Sequence, residues 1–268
     1  MNCSFEELLQ NGGVILSLAR YQYRFLHTKQ RLEEVGFQNL HFYKGFDGFQ
    51  EDLSGVALQL GFSGVYAQDI ASRPGNIACT LSHISLWKKI VDEQLPYLLI
   101  FEDDALPHPN FRQLAPAWWE KTPQDLDIIL LGNQMNTEIQ ELYDTNTLIV
   151  KHPAFCLHAY IVTQKGAQRL LELVRAQSIL KMNDVQVMDW MFQRLLHFVC
   201  WNGTWLEKPY PVFTQETPLE KALQTTDMIV ERRDTGLIYQ NFCLGHTLSQ
   251  KNPIFNIVLY NSEQKSSE

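Results

Sequence analysis

The chain has 268 residues, 45% hydrophobic and 12% aromatic, enough for one large α/β domain or two small ones, and global disorder is excluded. A formal charge of −8 excludes a protein that coats nucleic acid through a basic surface, though not one that holds a single nucleotide with a few arginines. The five cysteines (Cys3, Cys79, Cys156, Cys200, Cys243) are scattered and never form a CxxC pair. They read as reduced core or surface residues, not as a disulfide frame or a zinc site. The N-terminal MNCSFEELLQNGG is acidic and lacks an apolar run, so no signal peptide is expected. No stretch approaches the roughly 20 apolar residues of a membrane span. The expected location is the cytoplasm, with peripheral contact to the inner face of the membrane left open.

In chain order, residues 14–18 (VILSL) predict a short apolar strand, and 24–35 a helix closed by Gly36 in a left-handed cap. Residues 40–43 give the next strand, ending at the turn signal Asp47-Gly48. A short helix is expected over 51–60, weakened by Gly55, and a stronger one over 77–93. A strand to Phe101, a loop broken by Pro107 and Pro109, a helix over 111–120 and the apolar strand 127–131 follow. Val150 and 157–163 supply further strands, and 164–177 and 185–197 further helices. There are no repeats. The alternation predicts one α/β domain with a mixed, mainly parallel sheet covered by helices. Its body is expected over 1–220, with 221–268 as an extension packed on it, an acceptor-side cover or dimer contact, that ends in a disordered tail.

The most informative segment is 97–104, YLLIFEDD, an apolar run ending in three consecutive carboxylates. The run predicts a strand buried on both faces. Strand alternation would point Glu102 and Asp104 one way and Asp103 the other. Open α/β sheets bind ligands beyond the C-terminal ends of their strands. Carboxylates held there suit Mg²⁺ or Mn²⁺ carrying substrate phosphates, and without a partner their mutual repulsion is costly. The plain alternative is an exposed acidic loop.

Several ordered blocks together resemble glycosyltransferase family 25, which joins bacterial lipopolysaccharide and lipooligosaccharide sugar transferases to collagen galactosyltransferases. They are LARYQYR with Arg20 and Arg24, the Asp47-Gly48 segment end, NIACTLSHISLWKKI, LLIFEDDALPHPNF, AYIVTQKGAQRLL, VMDWMF, and the stretch from Tyr210 to Gln215. The resemblance runs from Val14 to about Gln215. Two departures stand out: Ala19 where the family commonly has an acid, and Ala78 where it commonly has glycine.

The resemblance implies a GT-A type fold, a UDP-sugar donor and an inverting single displacement onto a glycan acceptor that could be lipid-linked. Glu102 and Asp104 would then ligate Mn²⁺ or Mg²⁺, and Asp103 would contact the sugar, the ribose or a nearby basic residue. Arg20 and Arg24 offer planar donor forks to phosphate, and Asp47 could accept from ribose or base. Asn76 would lie at the mouth of the donor pocket, with Ser82 and His83 facing it or supporting the metal strand, while Trp87 packs in the core. Asp189 is the candidate base, with Asp184 as its alternative. Of Trp190, Trp201 and Trp205, at most one is expected to touch the acceptor. A metal-dependent nucleotidyltransferase or phosphohydrolase using the same carboxylates is the alternative enzyme, and a homologue that binds without turnover is the non-enzymatic one.

Overall fold

A computed structural model describes residues 3–62, 67–134, 147–177, 179–213, 228–231 and 233–241. The chain opens with helix α1 (Phe5–Asn11), which the periodicity did not single out. Its signal is local: Ser4 accepts from the Glu7 amide while the Glu7 carboxylate accepts from the Ser4 amide, a reciprocal cap. Strand β1 (Gly13–Ser17) is buried throughout. After a 3₁₀ turn at Ala19–Tyr21 comes α2 (Gln22–Glu34), and Gly36 takes the expected left-handed conformation at φ +105°. Then come β2 (Leu40–Lys44), α3 (Leu53–Gln59), α4 (Ala67–Ser72) and the long α5 (Pro74–Asp92). The strands β3 (Tyr97–Glu102) and β4 (Ala105–Pro107) follow, then α6 (Phe111–Lys121) and β5 (Ile128–Gln134). The remaining main elements are β6 (Ile149–Val150), β7 (Phe155–Thr163), α7 (Gln164–Arg175), α8 (Asn183–Phe192) and β8 (Phe198–Trp201).

The central sheet runs β2-β1-β3-β7-β5-β8-β6. Strands β2, β1, β3, β5 and β8 point the same way, and β7 lies antiparallel between β3 and β5. The expected mixed, mainly parallel sheet in one α/β domain is therefore what the chain forms. Side chains divide by strict alternation. Val14, Leu16, Ile100, Leu130, Tyr160 and Val162 pack against α3, α5, α7 and α8. Ile15, Leu99, Phe101, Leu131 and Ile161 pack against α1, α6 and Trp201 on the other face. Burial on both faces is why these strands read as continuous apolar runs.

The region after 220 does more than pack on the outside. Its short strands are β10 (Val230–Glu231), β11 (Asp234–Gly236) and β12 (Ile238–Gln240), with β9 (Val212–Phe213) just before. β11 pairs with β5 as an eighth strand of the central sheet, and β12 pairs with β4. Leu237 and Ile238 are fully buried between them. The expected disordered tail lies outside the described residues. Among the described residues, no helix is long and apolar enough to cross a membrane.

Candidate active site

The parallel strands β1, β2 and β3 end at one edge of the sheet, and a cavity of about 260 Å³ opens there. Helix α5 presents Gly75, Ala78, Cys79 and Ser82 to it, the i, i+3, i+4, i+7 face of a helix. The 45–49 loop closes a second side. Its position is fixed by Ser82, whose hydroxyl accepts from the Phe46 amide at 2.8 Å and donates to the Ala78 carbonyl at 2.7 Å. Gly48 allows the loop to touch α5, since a Cβ there would stand 2.2 Å from the Pro74 carbonyl oxygen. Of the residues expected at a donor site, Arg20, Arg24, Asp47, Ser82, Glu102, Asp103 and Asp104 all line this cavity.

The carboxylates do not alternate as a continuing strand would. β3 ends at Glu102, so alternation carries Glu102 toward α5 and Asp103 toward α2, and the turn then swings Asp104 back to the same arginine. Arg24 is ion-paired to Asp103 at 2.6 Å and to Asp104 at 3.4 Å. Asp103 also accepts from the Ser17 hydroxyl at 2.5 Å. Arg20 is ion-paired to Asp47. Burial, reinforced by Asp104 and Glu102 and opposed by Arg24, pushes the Asp103 carboxyl up to about 7. Burial also raises Asp104. Glu102 goes the other way: burial would raise it, but His83 holds it below the ordinary carboxylate range.

His83 lies at the centre of a buried hydrogen-bond chain. Its Nε2 is 3.0 Å from Glu102 Oε1 and its Nδ1 is 2.7 Å from the Tyr160 hydroxyl. Trp87 Nε1 donates to that hydroxyl at 3.3 Å. In one neutral tautomer the Tyr160 hydroxyl accepts from Trp87 and donates to Nδ1, while Nε2–H donates to Glu102. His83 thus ties the end of β3 to α5, and Trp87 adds a hydrogen bond to its core packing.

A second cavity, about 220 Å³, adjoins the first and shares Cys79 and Glu102 with it. Asn76, Cys156, Asn183, Asp184 and Gln240 complete its polar wall. Asn76 donates to Met182 Sδ at 3.1 Å. Asp184 accepts from the Val185 amide at 2.9 Å, and burial, aided by Glu102, raises its carboxyl. Asp189 lies elsewhere on α8, ion-paired to Lys181 at 2.7 Å, and lines neither cavity. Trp190 and Trp201 are buried in the two cores, which rules them out as exposed stacking surfaces. Trp205 is partly exposed, stacked on Trp118, and lines neither cavity.

Sequence reasoning did not name Ser17, Tyr160 or Gln240. Gln240, on β12, donates to Asp104 Oδ2 at 3.1 Å, and the Asn241 amide donates to the Asp104 carbonyl at 2.7 Å. Ser17 and Tyr160 sat inside strands, where nothing marks which polar group will face a carboxylate. Gln240 follows a stretch without any motif.

Charge at this edge is unbalanced: Asp47, Glu102, Asp103, Asp104 and Asp184 face two arginines. Asp104 Oδ1 and the Nε groups of Arg20 and Arg24 are buried without hydrogen-bond partners among the described residues. An unpartnered carboxylate oxygen calls for a cation and unpartnered guanidinium N–H groups for an anion, so the oxygen-rich donor set fits a hard divalent ion beside a phosphate.

The cavity lies where open α/β sheets bind their ligands, beyond the C-terminal ends of parallel strands. Comparison with known proteins gives the family: the sequence profile of glycosyltransferase family 25 (LPS biosynthesis protein) matches residues 12–187, and the chain belongs to that family. It is 30% identical over 189 residues to a Haemophilus influenzae protein named provisionally as a glycosyltransferase, covering 69% of this chain and 64% of that one. It is 27% identical to human procollagen galactosyltransferase 2 over 115 residues, covering 40% of this chain and 18% of that one. To human inactive glycosyltransferase 25 family member 3 it is 31% identical over 122 residues, covering 44% of this chain and 20% of that one. The chain therefore spans less than two thirds of the length of these relatives.

Proposed function

We propose that the chain is a metal-dependent, inverting glycosyltransferase that moves a hexose, galactose in the first instance, from a UDP-sugar to a saccharide acceptor. The acceptor is a cell-surface glycan such as lipooligosaccharide, met at the cytoplasmic face of the membrane. One observation carries this reading: Asp104 Oδ1 and the Nε groups of Arg20 and Arg24 are buried without hydrogen-bond partners among the described residues, and all three residues line one cavity. A metal–diphosphate would offer a cation to the carboxylates and oxygen acceptors to the guanidinium groups.

Glu102 and Asp104 would hold Mn²⁺ or Mg²⁺, which when bound neutralises charge on the leaving diphosphate. His83 and Gln240 orient those two carboxylates. Arg20 and Arg24 turn their forks to phosphate, and the α5 N-terminus, with Gly75 at the cavity wall, adds backbone N–H groups and a favourable dipole. Asp47 accepts from the ribose or base. The second cavity takes the acceptor, and Asp184 accepts the hydroxyl proton as that oxygen bonds to the anomeric carbon and UDP departs. Its raised pKa suits a base that acts late in an oxocarbenium-like transition state. This placement favours Asp184 over Asp189.

The test is thermal stability with UDP, with and without Mn²⁺, beside the Glu102→Ala/Asp104→Ala variant. A native-state ligand at a hundredfold excess over its dissociation constant stabilises by about 2.7 kcal/mol. A metal-dependent UDP shift that the variant lacks, followed by transfer from UDP-galactose, supports the proposal. A shift only with a nucleoside triphosphate would favour the nucleotidyltransferase. The Arg24 link to Asp103 and Asp104 favours a second reading, a binder without turnover, which predicts the shift but no transfer.

A further inference from the structure

The wall between the two cavities carries donor atoms of a different character from the oxygen set beside it. Cys79 and His83 are four residues apart on α5 and so project from the same helix face, and Glu102 reaches them from the end of β3. One ligand atom from each lies within 4.8 Å of the others. Cys79 Sγ is 4.0 Å from Glu102 Oε1, and His83 Nε2 is 3.0 Å from the same oxygen. Around tetrahedral zinc, bonds of about 2.3 Å to sulfur and about 2.0–2.2 Å to nitrogen and oxygen put neighbouring ligand atoms about 3.3–3.6 Å apart. The observed separations bracket that range, so small side-chain movements close the set.

We propose that Cys79, His83 and Glu102 form a second, soft-metal site that takes Zn²⁺ or a similar borderline ion in tetrahedral coordination, its fourth position open to the cavities. Thiolate and imidazole select such ions over Mg²⁺, which prefers oxygen. The orienting partner is already in place. When His83 gives up its Nε2 hydrogen to bind metal, Nδ1–H turns to the Tyr160 hydroxyl, which can accept from both His83 and Trp87. The thiolate and carboxylate charges offset the ion's two. Cysteine spacing alone hid the site, because its other two ligands come from a helical i+4 position and a distant strand. Glu102 belongs to both sites, so an ion here draws that carboxylate away from the hard-metal set.

The test reads the ion directly and is independent of sugar transfer. The chain, stripped with a chelator, is titrated with Co²⁺ alone. The expected result is a thiolate-to-cobalt charge-transfer band with tetrahedral visible bands, saturating at one ion per chain and abolished by Zn²⁺. Cys79→Ser should remove the charge-transfer band while Cys156→Ser keeps it. Tyr160→Phe should weaken cobalt binding about 10–100-fold with all three ligands intact. Alkylation of the unmodified chain, mapped by mass spectrometry, covers the case of a variant that does not fold: Zn²⁺ should protect Cys79 and leave Cys3 reactive. Absence of the band, its survival in folded Cys79→Ser, or alkylation of Cys79 unaffected by Zn²⁺ would overturn the proposal. If the glycosyltransferase reading fails, UDP produces no shift while the cobalt spectrum stands.

Discussion

Gln240 donates its side-chain amide to Asp104 Oδ2 at 3.1 Å, joining residues 136 apart in sequence. The bond links β12, which lies outside the family match at 12–187, to one of the carboxylates that would hold the donor's metal. Gln240 also lines the second cavity beside Asp184. One residue from the C-terminal segment thus fixes a carboxylate of the first cavity and lines the second.

Replacing Gln240 with Leu removes that donor while keeping the bulk. Loss of an orienting hydrogen bond to a metal ligand lowers metal affinity about 10–100-fold. Mn²⁺-dependent UDP binding, followed by calorimetry, should weaken by that factor, with the melting temperature changed little because Gln240 is only partly buried. Unchanged Mn²⁺ dependence would place the orientation of Asp104 in its contacts with Arg24 and the Asn241 amide.

How much of this the sequence carried depended on distance along the chain. The sheet was readable because β1, β3, β5 and β7 are buried on both faces and so appear as apolar runs. The residues that line the first cavity stood out in the sequence because Arg20, Arg24, Asp47, Ser82 and the acidic turn each sit in a local block. The acidic turn itself was misjudged in direction, since alternation stops where β3 stops. The site that joins Cys79 and His83 to Glu102, and the reach of Gln240 to Asp104, depend on tertiary packing across elements. No periodicity encodes them. Helix α1, by contrast, was missed although its Ser4–Glu7 capping signal was present.

Asp184 and Asp189 are five residues apart on one helix yet have different surroundings. Asp184→Asn should lower turnover by about 10²–10⁴-fold, the usual contribution of a positioned base, with donor binding intact. Asp189→Asn removes an exposed pair with Lys181, worth about 1 kcal/mol or less, and should leave turnover within a few-fold of the parent. Single-turnover transfer assays on the two variants decide between them. The reverse ranking would restore Asp189 as the base.

Asp103 makes stability depend on pH in a direction opposite to most carboxylates. Burial lifts its folded-state pKa from 3.8 to about 7, so the folded chain holds this proton where the unfolded chain has released it. Stability from this group is complete below the unfolded value and declines as pH rises through that window. Asp103→Asn stays neutral at every pH. Between about pH 4 and 7 the parent should therefore lose melting temperature relative to the variant, with a constant difference above about pH 8. A parent that gains on the variant over that range would mean that Arg24, not burial, sets the charge of Asp103.

Gly48 gives the sharpest handle on the donor cavity, because the space it leaves open is filled by backbone. A Cβ at this position would lie 2.2 Å from the Pro74 carbonyl oxygen and 2.4 Å from its carbon, and neither atom can rotate aside. In Gly48→Ala the 45–49 loop must lift from the start of α5. That movement separates Asp47 from Arg20 and opens the wall where Gly75 lies. Overpacking at such a contact destabilises by about 1–3 kcal/mol, which leaves a folded protein of ordinary stability. UDP affinity should fall at least about tenfold, a loss of about 1.4 kcal/mol. The cobalt signal expected from Cys79, His83 and Glu102 should persist, since that set is held by α5 and β3, not by the loop. Calorimetric UDP titration beside cobalt absorbance separates the outcomes. Loss of both signals would mean that the start of α5 moved with the loop, and retention of full UDP affinity would remove the loop from the donor site.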